Sequence, residues 1–173
     1  ELSDEYNSEY LAALDIGSNS FHIVLARQVG EHLQLVHREK YQVQLAQGLN
    51  SEAILSQQAI ERGLSTLSHL ATTISHIQPE NFRAVATFTL RQAKNTAEFL
   101  KAARQVFPFN IEVISGHEEA RLIYQGVAHH LQNDIPQLVI DIGGGSTECV
   151  IGQKNTIKAL ESLNIGCVSY QQQ

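Results

Sequence analysis

LAALDIGSNSFHIVL at residues 11–25 and LVIDIGGGSTECVI at residues 138–151 are two versions of one pattern. In each, a short apolar run enters Asp-Ile-Gly, turns through small polar residues, and leaves as a second apolar run. Asp15 and Asp141 stand 126 positions apart (141 less 15), and outward from them Ile16 matches Ile142, Gly17 matches Gly143, Ser20 matches Ser146 and Val24 matches Val150. This register describes a duplicated strand–turn–strand unit. Gly and Ser at such a turn present several backbone N–H groups to one point, a concavity that holds phosphate oxygens. Two such loops facing each other would grip a polyphosphate from both sides.

Around the first loop the chain reads as a three-stranded meander, with strands at 11–14, 21–28 and 33–45. Ile60, Leu64, Leu67, Leu70, Ile74 and Ile77 then recur at steps of three and four, which predicts a helix, with Ser56 as its cap and Pro79 beyond its end. Residues 83–88 read as a buried strand. Asn95 is placed to cap a second helix, whose apolar face is Ala97, Leu100, Ala103 and Val106. A strand follows at 111–114, a turn at Ser115-Gly116, and a third helix at 118–131 with Leu122, Ile123, Val127 and Leu131 inward. The order β-β-β-α-β-α-β-α implies an α/β fold with a mixed sheet covered by helices. Past Asn133–Pro136 the meander restarts with strands at 137–141, 148–152 and 157–163. A first unit over 1–125 and the start of a second over 126–173 are expected, with the natural protein continuing beyond Gln173.

Composition narrows the function classes. A chain of 173 residues that is 43% hydrophobic can bury a sizeable core. Its net charge of −6 argues against a protein that coats nucleic acid, since such binding draws on Lys and Arg neutralising phosphates. An anionic ligand must then be held by a few focused groups. Cys149 and Cys167 show neither metal-ligand spacing nor a disulfide framework, which suits a reducing, cytoplasmic setting. The longest apolar runs fall far short of a membrane span.

Several side chains carry chemistry. Gly17, Ser18, Asn19 and Ser20 make an ordinary hairpin turn when taken alone. The run Gly143-Gly144-Gly145 changes the reading, because three successive glycines cost backbone entropy that a plain hairpin avoids, and close approach to a ligand accounts for it. Gly144, Gly145 and Ser146 are thus the second set of phosphate-binding candidates. Asp141 ends one strand and Glu148 begins the next, so both carboxylates sit near the same loop and are candidates to hold a hard cation such as Mg²⁺. Asp15 has His22 where Asp141 has Glu148, which favours the second loop as the metal site. Arg91, at the C-terminal end of a strand, is a candidate phosphate ligand. Glu118 and Glu119 open a helix, where the dipole favours acids without any chemistry. Adjacent helical residues lie about 100° apart, so one of the two faces a cleft squarely.

Together with Thr89-Leu90-Arg91-Gln92-Ala93 and Ser115–Ile123 (SGHEEARLI), both Asp-Ile-Gly loops make the chain resemble the exopolyphosphatase / guanosine pentaphosphate phosphohydrolase (Ppx/GppA) family across nearly all of 11–167. That family lies in the actin, Hsp70 and sugar-kinase superfamily, so the resemblance implies ribonuclease-H-like domains closing over phosphate. It implies Glu119 as the catalytic base, Asp141 and Glu148 as divalent-cation ligands, and a homodimer. The expected activity is release of terminal orthophosphate from inorganic polyphosphate, or the same chemistry on guanosine pentaphosphate. A kinase of the superfamily and a non-catalytic phosphate or nucleotide sensor are the competing classes. The kinase needs an adenosine pocket; the sensor does not need Glu119.

Overall fold

The computed structural model describes residues 10–30, 32–129 and 134–170. Three antiparallel strands, β1 (Tyr10–Ile16), β2 (Ser20–Val29) and β3 (His32–Gln42), form the expected meander. Strand β4 (Phe82–Ala86) adds to β1 in parallel and β5 (Ile111–Val113) adds to β4, giving a mixed sheet in the order β3-β2-β1-β4-β5. The period-two pattern sends Ala12, Leu14 and Ile16 of β1, and Phe21, Ile23 and Leu25 of β2, into the core. Parallel β1 and β4 need a crossover, and helix α1 (Gln57–Thr73) supplies it.

Helix α1 starts as its sequence predicts: Ser56 Oγ accepts a bond from the Ala59 amide at 3.3 Å. Its buried face is Ala59, Ile60, Gly63, Leu67 and Leu70. Burial of each leucine contributes about 1.5–3 kcal/mol of transfer free energy. Gly63 is a contact point, since a Cβ there would lie 2.8 Å from the Phe99 ring of α3 (Thr96–Val106).

In the first unit, four expectations differ from the structure. The third strand stops at Gln42, and Leu45 is fully buried in a 3₁₀ turn, Leu45–Gly48, after Gln44 adopts a left-handed φ of 56°. The run 83–88 is not all strand: β4 ends at Ala86, and Phe88–Gln92 forms a short helix, α2, that carries Arg91. Asn95 stands at the N-cap position of α3, but its side chain makes no capping bond. Its side chain instead accepts from Leu55 N at 2.8 Å and donates to Leu55 O at 2.9 Å, joining segments 40 residues apart. In α3 the buried anchors are Phe99 and Ala103, while Ala97 is exposed and Leu100 and Val106 are half-buried.

The second meander is also present: β6 (Gln137–Ile142), β7 (Thr147–Gln153) and β8 (Thr156–Leu163) form an antiparallel sheet. Helix α4 (Gly116–Ala128) lies on it, burying Ala120, Tyr124 and Ala128 with Val150. This is not the expected inward face, because Leu122 is 38% exposed and Ile123 and Val127 are half-buried; Leu131 lies outside the described residues. Two alanines bring the helix close, and Gly152 leaves room for the Tyr124 ring, whose hydroxyl donates to Lys154 O at 2.9 Å. A division at residue 125 falls inside this helix. The fold is the ribonuclease-H-like α/β fold, with helices on a mixed sheet followed by a second three-stranded sheet. Among the described residues no helix is long and apolar enough to cross a membrane.

Candidate active site

Each Asp-Ile-Gly loop closes with the same bond. Gly17 N donates to Ser20 O at 3.1 Å in the first, and Gly143 N to Ser146 O at 2.9 Å in the second. The cross-strand pairing repeats as well, with Asp15 opposite His22 and Asp141 opposite Glu148. The loops meet tip to tip: a Cβ on Gly144 would lie 3.1 Å from Ser18 Cβ and 3.3 Å from the Asn19 amide. Gly145 packs on the Phe88 ring so closely that any side chain there would overlap it. Between them lies a cavity of about 330 Å³.

Gly17, Ser18, Asn19, Ser20, Gly144, Gly145 and Ser146 all line this cavity, as do Asp15, Asp141 and Glu119. Seven of the eight sequence-derived phosphate candidates thus share one space with the candidate base. Ser20 is buried, and its Oγ has no hydrogen-bond partner. Such an orphaned hydroxyl on a cavity wall is a donor held ready for a ligand oxygen.

The start of α4 and the last turn of α2 place the acid–base groups. Ser115 Oγ caps α4 by accepting from Glu118 N at 3.1 Å, and Glu118 then turns outward to Arg121 in a two-bond pair at 2.6 and 2.7 Å. Glu119, about 100° around the helix, faces the cavity with its side chain only 15% exposed. Arg91 of α2 reaches it: Nη1 donates to Glu119 Oε2 at 3.1 Å and to Ile114 O at 3.0 Å. Arg91 therefore lies behind the cavity wall, with Nη2 buried and unpartnered.

Burial, then the charges of Glu148 and Asp15, push the Glu119 carboxyl up to about 7, against the lowering pull of Arg91. The Asp15 carboxyl, open to the cavity yet ringed by protein, rises to about 6, first through desolvation and then through Asp141. His22 is lowered from its usual range by desolvation and by neighbouring Lys40.

Glu148 is 1% exposed; its Oε1 accepts from Ser162 Oγ at 2.8 Å and its Oε2 has no partner. A buried carboxylate with a free oxygen, coupled to Glu119 and paired across the strands with Asp141, is a place where a cation would offset charge. Among the described residues no three Asp, Glu, His or Cys side chains form a cage by themselves. Asp141 and the free Glu148 oxygen are a donor set of the kind Mg²⁺ accepts, one or two carboxylates with the shell completed by water and phosphate oxygens.

His22, Lys40, Thr87, Phe88 and Cys167 also line the cavity, and Ser162 holds Glu148. Sequence reading did not assign roles to these. The only available signal was register, because Lys40 follows from pairing opposite His22 and Ser162 from pairing opposite Glu148.

Known proteins are similar to this chain in sequence and in fold. The sequence profile of the Ppx/GppA phosphatase family matches residues 24–173. A Haemophilus influenzae protein with the provisional name exopolyphosphatase is 47% identical over 167 residues, covering 96% of this chain and 52% of that protein. The crystal structure of an exopolyphosphatase from Cytophaga hutchinsonii superposes with a TM-score of 0.89 at 28% identity, covering 95% of this chain and 54% of that one. The Aquifex aeolicus PPX-GPPA enzyme superposes with a TM-score of 0.82 at 31% identity, covering 95% and 55%. The chain spans about half the length of the relatives it matches.

Proposed function

The chain belongs to the Ppx/GppA phosphatase family, and from that premise we propose that it forms the phosphate-holding half of a hydrolase that removes terminal orthophosphate from inorganic polyphosphate. One observation carries the reading. Glu119, its carboxyl raised to about 7, faces a cavity walled by two Gly/Ser loops.

In this mechanism the terminal phosphoryl group lies between Gly17–Ser20 and Gly143–Ser146. Loop amides, with the Ser20 and Ser146 hydroxyls, bind its oxygens. Glu119 takes a proton from a water as that water's oxygen attacks the terminal phosphorus. The bond from phosphorus to the bridging oxygen breaks, and its electron pair leaves with a polyphosphate one unit shorter. The products are orthophosphate and the shortened chain. A carboxyl near 7 suits a base working at neutral pH, since it is both ionised and basic enough to accept the proton. Arg91 holds the carboxylate in orientation through Nη1. Asp141 and Glu148 are the residues for Mg²⁺, which would neutralise charge on the bound phosphates. The remaining contribution is positioning, as phosphoryl transfer generally requires.

The same attack at the 5′ end of guanosine pentaphosphate is the alternative substrate. The exopolyphosphatase name of the 47%-identical relative favours polyphosphate. The test uses the full-length protein that carries this sequence, with Mg²⁺ and long-chain polyphosphate. Orthophosphate release is expected, and Glu119→Gln is expected to lower turnover by about 10²–10⁴-fold with affinity retained. No release from either substrate, or a Glu119→Gln protein with undiminished turnover, rejects the reading. Transfer to an acceptor would indicate a kinase, and binding without turnover a sensor.

A further inference from the structure

Both phosphate loops are held from behind by their carbonyls. In the second loop, Gly143 O accepts from Cys167 N at 3.0 Å, and Gly144 O accepts from Val168 N at 2.8 Å and Ser169 N at 3.2 Å. Gly145 O accepts from Ser169 Oγ at 3.3 Å. A trans peptide is planar, so a carbonyl and the amide that follows it point in opposite directions. Each carbonyl drawn toward 167–169 therefore turns the next amide the other way. The amides so turned belong to Gly144, Gly145 and Ser146, which all line the cavity. None of the three donates to an acceptor among the described residues.

The first loop repeats the device with a different stretch of chain. Ser18 O accepts from Ala46 N at 2.9 Å and Asn19 O from Gln44 N at 2.8 Å, which turns the Asn19 and Ser20 amides by the same geometry. In each half the straps come from the segment just past the third strand of the meander.

The second strap is the closer one. A Cβ on Gly166 would lie 2.5 Å from Gly144 C, Gly144 O and Gly145 N, so a side chain there would push the phosphate loop. Ser169 ties the strap to itself: its hydroxyl accepts from Gly166 N at 2.8 Å and also lies 3.2 Å from Gly166 O.

We infer that Gly166–Ser169 is a positioning element for phosphate, in which the absent Gly166 side chain and the Ser169 hydroxyl fix the direction of the Gly145 and Ser146 amides. Neither residue needs to touch the ligand. The inference rests on reading the cavity as a polyphosphate site, and tripolyphosphate is the probe, its binding measured in proteins that also carry Glu119→Gln so that it is not turned over.

In the full-length protein with Mg²⁺, Ser169→Ala is expected to weaken tripolyphosphate binding about 3–10-fold, the loss of one hydrogen bond. The KM for polyphosphate rises by the same factor while kcat stays within about twofold, as loss of uniform binding requires. Ser169→Thr, which keeps the hydroxyl, restores both. Gly166→Ala has the larger effect. Hydrogen exchange on the protein carrying Glu119→Gln alone gives a readout independent of either strap variant, since tripolyphosphate is expected to slow exchange at Gly144–Ser146. Folded Ser169→Ala and Gly166→Ala proteins that bind as wild type, or unchanged exchange at these amides, overturn the inference. Wild-type protein that binds tripolyphosphate with protection at Gly144–Ser146, yet hydrolyses neither polyphosphate nor guanosine pentaphosphate, rejects the hydrolase reading and supports the strap.

Discussion

Replacing Glu119 by Gln changes one thing cleanly: it removes a proton-binding site and keeps the size and an oxygen acceptor for Arg91 Nη1. The folded protein holds that carboxyl near 7, against 4.5 for an ordinary glutamate. The folded state therefore binds the proton more tightly than the unfolded state. Its stabilising effect is fully present below pH 4.5 and is lost as the pH rises toward 7. Above that it is flat. A shift of about 2.5 units at 1.36 kcal/mol each gives a ceiling of ~3.4 kcal/mol. The side chain is 15% exposed, so solvent screening removes little of this. We expect the Glu119→Gln protein to exceed wild type by about 2–3 kcal/mol at pH 8 and to match it within about 1 kcal/mol near pH 5. At about 2–4 °C per kcal/mol, this is a rise in Tm of roughly 4–12 °C at the higher pH. Urea or thermal unfolding from pH 5 to 8.5, with a chelator present so that no cation stands in for the proton, measures it. Parallel stability curves for the two proteins would refute the claim that burial and neighbouring carboxylates strain Glu119.

Other outcomes follow from the same contacts. Asn95→Ala removes both bonds to the Leu55 backbone and leaves its amide and carbonyl half-buried, so unfolding should cost about 1–3 kcal/mol less, as read from the urea midpoint. With Glu119 as the base, kcat/KM for polyphosphate rises with pH through a limb near 7 measured at low Mg²⁺, and that limb disappears from the residual activity of Glu119→Gln. Arg91→Lys keeps the charge, but Nζ falls one bond short of the Nη1 position that donates to both Glu119 and Ile114 O, so kcat should fall at least tenfold with modest change in Tm.

The features legible in the sequence are those written in local period or repeat. The Asp-Ile-Gly duplication located both loops and their shared cross-strand pairing, and the three–four spacing located α1 and its Ser56 cap. Features set by distant partners were not legible. Phe88–Gln92 follows β4 without a break in apolar character, and five residues are too few to show a helical period. Asn95 has a cap's residue type, but Leu55, 40 positions away, offers a donor and an acceptor together. On α4 the larger aliphatics suggested the buried face. The second sheet instead selected Ala120 and Ala128, whose small size permits close approach, around Tyr124. At the site, Glu119 and the loops were readable, whereas Lys40, Cys167 and Ser162 enter through strand register and chain return.

The account depends on two loops sharing one ligand, and they touch at Gly144. Gly144→Ala puts a methyl 3.1 Å from Ser18 Cβ and 3.3 Å from the Asn19 amide, on the seam between the loops and outside the hydrophobic core. The direct measurement is the tripolyphosphate dissociation constant of this variant in the full-length Glu119→Gln protein with Mg²⁺, beside its Tm. The account predicts affinity lowered about tenfold or more with Tm within a few degrees of wild type, about 1.4 kcal/mol lost from binding alone. Wild-type affinity in a folded Gly144→Ala protein would contradict it, because the ligand would then not lie between the loops.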